Sequence, residues 1–222
     1  MKRVPTPELL DTDAGTPAEI AAALADLRRI NRWFGGVTTT KRMIEHVAQV
    51  TAKSELSLLE VAAGSGYVPK KAQSRLHQNG VSLQITLLDR ARSHLTNSAN
   101  AIVADALALP FPDATFDLVS SNLFAHHLSP EPLSKFLKDA LRVCRTAVLI
   151  NDLIRDPIHL ALVYAGFPLY RGRLTRHDAP ASVRQAYTIE EMRESALQAG
   201  AARLEINRHY LFRMGVIAWK QA

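Results

Sequence analysis

From Lys53 onward the chain alternates short apolar segments with stretches of helical spacing, and this constrains the fold more than any other feature. "LSLLEVAA", "LQITLLD", "AIVADA", "FDLVSSN" and "TAVLIND" read as strands. "VPKKAQSRLHQNG", closed by Asn79-Gly80, "RARSHLTNS", and "PEPLSKFLKDALRVC" with Ser129 as a candidate cap read as helices. Such alternation argues for a parallel sheet with helices on both faces. The end differs. "TIEEMRESALQAG" is a helix with Thr188 and Glu191 in capping-box spacing, and "ARLEINRHYLFRMGVIAWK" reads as two strands joined tightly. The last strand is then antiparallel to its neighbour. The expected class is α/β: a Rossmann-like doubly wound sheet, mostly parallel, preceded by helices.

Those helices occupy residues 1–52, an extension or lid before the main domain at 53–222. Thr16 is a candidate cap, Pro17 sits at the first helical position, and Ile20, Leu24, Leu27 and Ile30 recur at helical spacing. Gly35-Gly36 stops this helix, and a second runs from about Thr39 to Ala52. An insertion at about 156–187 holds one apolar helix, "HLALVYAGFPLY", and then an irregular polar loop. Long loops inside compact domains are usually functional, so this one is a candidate acceptor cap.

The chain's 222 residues suit one α/β domain with an extension, and 47% of them are hydrophobic, enough for a sizeable core. Cys144 is the single cysteine; no internal disulfide can form, and its apolar neighbours predict a buried, inert thiol. No segment is long and apolar enough to span a bilayer, and the N-terminus lacks an apolar leader core, so a cytoplasmic location is expected. Net charge is +6, but the basic residues are scattered, "RGRLTRH" being the tightest group, which disfavours nucleic acid as the partner.

The chemistry concentrates in "LLEVAAGSG", residues 58–66. In doubly wound sheets ligands bind outside the carboxyl ends of the strands, where strand order reverses. Glu60, Asp89 and Asp105 all fall near such ends. Asp89 lies roughly 20 residues beyond the glycines, where a carboxylate accepts hydrogen bonds from ribose hydroxyls. A dinucleotide fingerprint needs a third glycine, but Tyr67-Val68-Pro69 follows Gly66; a Walker loop needs Gly-Lys-Ser/Thr, which is absent. Glu60 before the glycines would repel a pyrophosphate but not a cationic ligand.

"LLEVAAGSG", "LLD", "VADALALPFPDATFDLVSSNLFAHHL" and "LRVCRTAVLINDL", in that order, resemble the class I S-adenosylmethionine-dependent methyltransferases, nearest the bacterial quinone- and polyketide-type small-molecule methylases. The resemblance covers residues 56–152 and the terminal strand pair. It implies S-adenosylmethionine as cofactor, with Glu60 near the methionine ammonium and Gly64 and Gly66 letting the main chain pass beneath it. It further implies Asp89 on the ribose, Arg90 beside the adenine, Asp105 and Ala106 at the adenine edge, and Asn122 and Leu123 on the floor near the sulfonium. The family usually has glycine where this chain has Ala62, so a shifted cofactor loop is expected there, since alanine tolerates positive φ poorly.

Methyl transfer to a hydroxyl requires a positioned base, and histidine suits it. "NLFAHHLSP" supplies His127 as the expected base and His126 as its alternative, with Asp152 able to orient a histidine. Arg176, His177 and Arg184 in the insertion are candidate acceptor ligands, and Trp33 with Phe34 forms a candidate lid hinged on Gly35-Gly36. No metal is expected. The leading expectation is O-methylation of a small aromatic, quinone or polyketide hydroxyl. The alternatives are a quinone-type C-methylase, an RNA- or protein-modifying methyltransferase, a non-catalytic cofactor binder and, disfavoured by Pro69, a nicotinamide dehydrogenase. A homodimer is compatible with every residue read.

Overall fold

The computed structural model describes residues 1–12, 14–92, 95 and 100–221. Helices α1 (Pro17–Trp33) and α2 (Gly36–Thr51) precede β1 (Glu55–Val61), α3 (Tyr67–His77), β2 (Ser82–Asp89), β3 (Ala101–Val103) and β4 (Phe116–Asn122). Then follow α4 (Pro130–Val143), β5 (Cys144–Leu153), α5 (Pro157–Ala165), α6 (Arg173–Gln185), α7 (Ile189–Gln198), β6 (Arg203–His209) and β7 (Arg213–Trp219). The strands form one sheet in the order β3-β2-β1-β4-β5-β7-β6. β1 to β5 run parallel, and β7 is antiparallel to both β5 and β6. Strand order reverses between β1 and β4, which is where a doubly wound sheet opens its ligand crevice.

Successive strand residues point to opposite faces, and both faces are covered. Leu58, Leu118 and Leu149 pack with Ile44 and Val47 of α2 and Leu76 of α3. Leu59, Val119 and Ile150 pack on the other face with Phe136 and Leu137 of α4 and Met192 of α7. The expected capping box forms at Thr188–Glu191, and Thr16, expected as a cap, forms a second box with Glu19. Gly80, at φ +77°, closes the turn after α3 as expected. Cys144 is buried, and burial pushes its thiol up to about 11, so it stays protonated.

Several expectations need correction. Arg173–Gln185 forms α6, not an irregular loop, although Pro180 lies inside it. Burial of Leu174, Pro180, Ala181 and Val183 overrides the weak local propensity. α2 begins at Gly36 rather than near Thr39, because Gly35 at φ +80° turns the chain directly into it. A side chain at Gly36 would collide with Asn31, so the two helices meet without a linker. The apolar stripe of α1 is only half-buried; its most buried residues are Ala23, Asp26 and Asn31. Ser129 holds the cap position of α4 without a side-chain cap bond. β3 ends at Val103, which leaves Asp105 in the following turn. The helix expected over "RARSHLTNS" lies largely outside the described residues.

Residues 1–12 form a strap rather than part of a helical lid. Asp178 of α6 accepts hydrogen bonds from Leu9 N (2.8 Å) and Leu10 N (3.0 Å). Arg3 donates to the carbonyls of Gln185, His126 and Leu128, and its guanidinium lies 4.4 Å from the Tyr187 ring centre. The strap therefore crosses from α6 to the turn after β4.

Candidate active site

The carboxyl-terminal rim of the sheet carries two buried polar systems, one on each face. Glu60 pairs in register with Leu87 and Ser120, and Asn122 pairs with Asn151, which pairs with Gly215. Two-residue steps keep a side chain on its face. Asp89, Glu60, Asn122, Asn151 and Arg213 thus form one row on the side covered by α2.

The row is joined by hydrogen bonds that all run one way. Arg213 Nη1 donates to Asn151 Oδ1 (3.0 Å), Asn151 Nδ2 to Thr40 Oγ1 (2.8 Å), Thr40 Oγ1 to Asn122 Oδ1 (2.8 Å), and Asn122 Nδ2 to Glu60 Oε1 (2.7 Å). Ser120 Oγ donates to the other Glu60 oxygen. A buried cation and a buried carboxylate thus stand at opposite ends of a chain of neutral groups, each polarising the next. Arg213 also donates to Phe34 O (3.0 Å) and Asn31 Oδ1 (3.3 Å), so the relay ties α1 and α2 to β4, β5 and β7. Burial pushes Glu60 up to about 7, against the opposing hydrogen bonds from Asn122 and Ser120. Burial likewise lowers Arg213 to about 10, against the attraction of Asp152.

The loop after β1 stays in glycine-like conformation despite Ala62, which sits at φ +53° beside Gly64 at +51° and Gly66 at +67°. Alanine here bears the strain of a positive φ, so the backbone conformation expected of glycine is kept. A Cβ on Gly66 would run into Leu87, whereas one on Gly64 would meet open space. Gly64 N donates to Asp89 Oδ2 (2.8 Å) and Ala91 N to Asp89 Oδ1 (2.9 Å), so the carboxylate pins the loop to the end of β2. Leu123, just past β4, is also in the left-handed region, at φ +53°, as are Ala52, Ala114 and Leu211 elsewhere. Strain of this kind clusters where structure is held for function.

On the opposite face Asp152 and His126 are both buried, with Asp152 Oδ1 2.6 Å from His126 Nδ1. His126 N also donates to Asp152 (3.1 Å). The other ring nitrogen, Nε2, lies 3.4 Å from Glu8 Oε1 of the strap and has no hydrogen-bond partner. Burial opposes charge on His126, but Asp152 and Glu8 overcome it and raise the ring to about 10, so it is protonated at neutral pH. His127 stacks 4.2 Å from His126 between ring centres, and its Nδ1 lies 2.8 Å from Asp11 Oδ2.

A family model described as a methyltransferase domain matches residues 59–150, a stretch that includes Glu60, the glycine loop, Asp89, Asn122 and the histidine pair. The ubiquinone/menaquinone biosynthesis C-methyltransferase UbiE of Laribacter hongkongensis (strain HLHK9) is 23% identical over 232 residues, covering 94% of this chain and 91% of its own. The phosphoethanolamine N-methyltransferase of Triticum aestivum is 29% identical over 150 residues; the match covers 62% of this chain and only 28% of that enzyme. The plantazolicin methyltransferase BpumL, solved with S-adenosylhomocysteine, shares the fold at a TM-score of 0.72 and 11% identity, covering 97% of this chain and 95% of its own. BamL, solved in a comparable complex, gives 0.67 at 13% identity, with 86% and 73% covered. Residues 59–150 thus carry a methyltransferase domain, and the fold around it is that of the S-adenosylmethionine-dependent methyltransferases.

The rim suits that cofactor chemically. Glu60 and Asp89 place negative charge beside a strained loop open at Gly64, as a sulfonium and ammonium would require. Of the expected cofactor residues, Glu60 is hydrogen-bonded to Asn122 and Gly64 to Asp89, Ala62 and Gly66 belong to the loop between β1 and α3, and Leu123 follows Asn122 directly. Glu60 spends its hydrogen bonds on Ser120 and Asn122. Asp105 is exposed and accepts from Leu107 N (2.9 Å), a turn bond; Ala106 is half-buried beside it and Arg90 is exposed.

The acceptor residues expected from the insertion fall elsewhere. Arg176, His177 and Arg184 lie exposed on α6, bonded to Tyr170 O, Asp178 and Tyr164 Oη, and among the described residues none bonds to the rim. Trp33 is 61% exposed at the end of α1, with the Arg29 guanidinium 5.5 Å from its ring centre.

The sequence reading missed Glu8, Asn31, Thr40 and Arg213. Arg213 had a usable signal: a lone charge opening the apolar run "RMGVIAW". Glu8 had none, since the strap has no periodicity.

Proposed function

We propose that this methyltransferase methylates an oxygen of a small aromatic, quinone or polyketide acceptor. The observation that carries the reading is the place of the histidine pair: His126 and His127 lie in the turn just past Asn122 and Leu123 at the end of β4, with His126 held by Asp152 near the end of β5. S-adenosylmethionine supplies a methyl carbon on a sulfonium. This chain's residues must align an acceptor oxygen with it and remove the oxygen's proton. His126 is already protonated, which leaves His127 to take that proton. Its ring is one-fifth exposed and its other partner, Asp11, is a carboxylate able to steady the imidazolium. Residues 1–52 and the insertion at 156–187 serve as the cover over the acceptor. The strap's bonds to α6 support that arrangement.

A second reading, methylation at carbon, is favoured by the length of the match to UbiE, itself named a C-methyltransferase. Turnover of a panel of phenols and hydroquinones with methyl-labelled cofactor separates the two, because NMR of the product places the label on oxygen or on a ring carbon. His127→Ala should lower turnover on the hydroxyl acceptor by about a hundredfold, the size of a general-base contribution, while cofactor affinity holds. Unchanged turnover removes His127 from this role. A salt-sensitive shift with bulk tRNA would instead favour a nucleic-acid substrate.

A further inference from the structure

We infer that Glu8, His126 and His127 form a binding site for one divalent transition-metal ion. One donor atom from each residue lies within 4.8 Å of the others. His126 Nε2 is buried and without a hydrogen-bond partner, although Glu8 Oε1 stands 3.4 Å away. A bonded ion pair would close to about 2.8 Å. Two donors on one tetrahedral ion at about 2.0–2.1 Å are instead roughly 3.3–3.4 Å apart. The nitrogen and the carboxylate thus keep the spacing of co-ligands rather than that of a donor and acceptor.

The surroundings fit the same use. Asp152 accepts the Nδ1 proton of His126, so Nε2 is the atom that would ligate, giving up its own proton to solvent as the ion enters; metal-bound histidines usually carry such a carboxylate behind them. Glu8 Oε1 is oriented by Ser182 Oγ (2.6 Å) and Gln185 Nε2 (2.8 Å). Asp11, 2.8 Å from His127 Nδ1, orients the third ligand. Two imidazoles and a carboxylate suit zinc, cobalt, manganese or iron rather than calcium or magnesium. Because Glu8 belongs to the strap, the ion would fasten residues 1–12 to the end of β4.

The inference goes beyond the proposed reaction, since ion binding depends on no particular acceptor. An ion held there would take His127 as a ligand and would supply Lewis-acid charge beside the acceptor side, so the base role proposed for His127 belongs to the ion-free protein.

The test uses tag-free, chelator-treated full-length chain titrated with Co²⁺, whose visible absorption reports nitrogen and oxygen ligation. The expected result is saturation at one equivalent, displacement by Zn²⁺, and affinity weakened about tenfold or more by both Glu8→Gln and His127→Ala. Neither change empties the buried core, so each variant should fold. Absence of saturable Co²⁺ and Zn²⁺ binding overturns the site, as does unchanged affinity in either variant. S-adenosylhomocysteine binding, measured on the same samples by calorimetry, tests the methyltransferase reading separately.

Discussion

The two faces of one sheet rim treat buried polarity in opposite ways. On the α2 face every member of the relay from Arg213 to Glu60 is bonded, and its members come from helices and strands fixed by the core. On the α4 face the cluster draws Glu8 and Asp11 from a strap outside the regular elements, and one buried nitrogen is left over. A completed network stiffens a site, whereas an incomplete one stays ready for a ligand. The contrast matches a division of labour in which the cofactor side is preformed and the acceptor side is adjustable.

The hardest blow to the comparison is Arg213→Ala. It strands the oxygens of Asn151, Asn31 and Phe34 and leaves the far end of the relay without its counter-charge. Removing one partner of such a buried system costs about 3–5 kcal/mol, seen as a midpoint shift in denaturant at unchanged slope. Glu8→Gln, which keeps its acceptor oxygen for Ser182 or Gln185, should cost about 1 kcal/mol. Equal losses would mean that the two systems are not different in kind.

Glu60 gives the next largest effect, in its pH dependence. Its folded value of about 7 lies above the ordinary 4.5, so the folded state holds a proton that the unfolded state has released. Stability therefore falls as pH rises from about 4.5 to about 7 and levels off above, a change on the order of 3 kcal/mol. Denaturation across that range should show the decline in the wild type and lose it in Glu60→Gln. His126 acts in another window: raised from 6.5 to about 10, it lends stability in full below pH 6.5, which is lost as pH climbs through 10.

How much of this was legible beforehand follows from the range of each force. The strands and the antiparallel end of the sheet came through because apolar alternation is local and the core simply obeys it. The placing of Glu60, Gly64, Gly66 and Asp89 at one sheet rim was legible because they are punctuation at strand ends. The relay's other end was hidden, since Arg213 meets Asn151 and Asn31 only after distant segments have folded together. α6 was misread for a related reason: Pro180 and many charges speak for a loop locally, and only burial of Leu174 and Val183 speaks for a helix. The strap lies at the limit, fixed by Asp178 and Gln185 from more than 160 residues away.

Asp178 offers a smaller, more local effect. Asp178→Ala removes both acceptors for Leu9 N and Leu10 N, at a cost of about 1–3 kcal/mol confined to the strap. Hydrogen exchange should quicken over residues 3–12 while β1 and β4 stay protected. If the relay strands loosened as well, the two faces would be coupled and the division between them false.

Ala62→Gly is the mildest probe and tests the preformed side alone. Alanine at φ +53° carries strain that glycine does not, yet glycine gives the unfolded chain more freedom to lose. The first effect outweighs the second at a left-handed position, so the variant should be more stable by about 0.5–1 kcal/mol. Cofactor binding carries the sharper information. The loop already holds the glycine-like conformation, pinned by Asp89 through Gly64 N, so the substitution has no new shape to supply. Affinity for S-adenosylhomocysteine by calorimetry should therefore change less than twofold. A large gain would show that alanine holds the loop away from its binding shape, and the cofactor side would then be adjustable too.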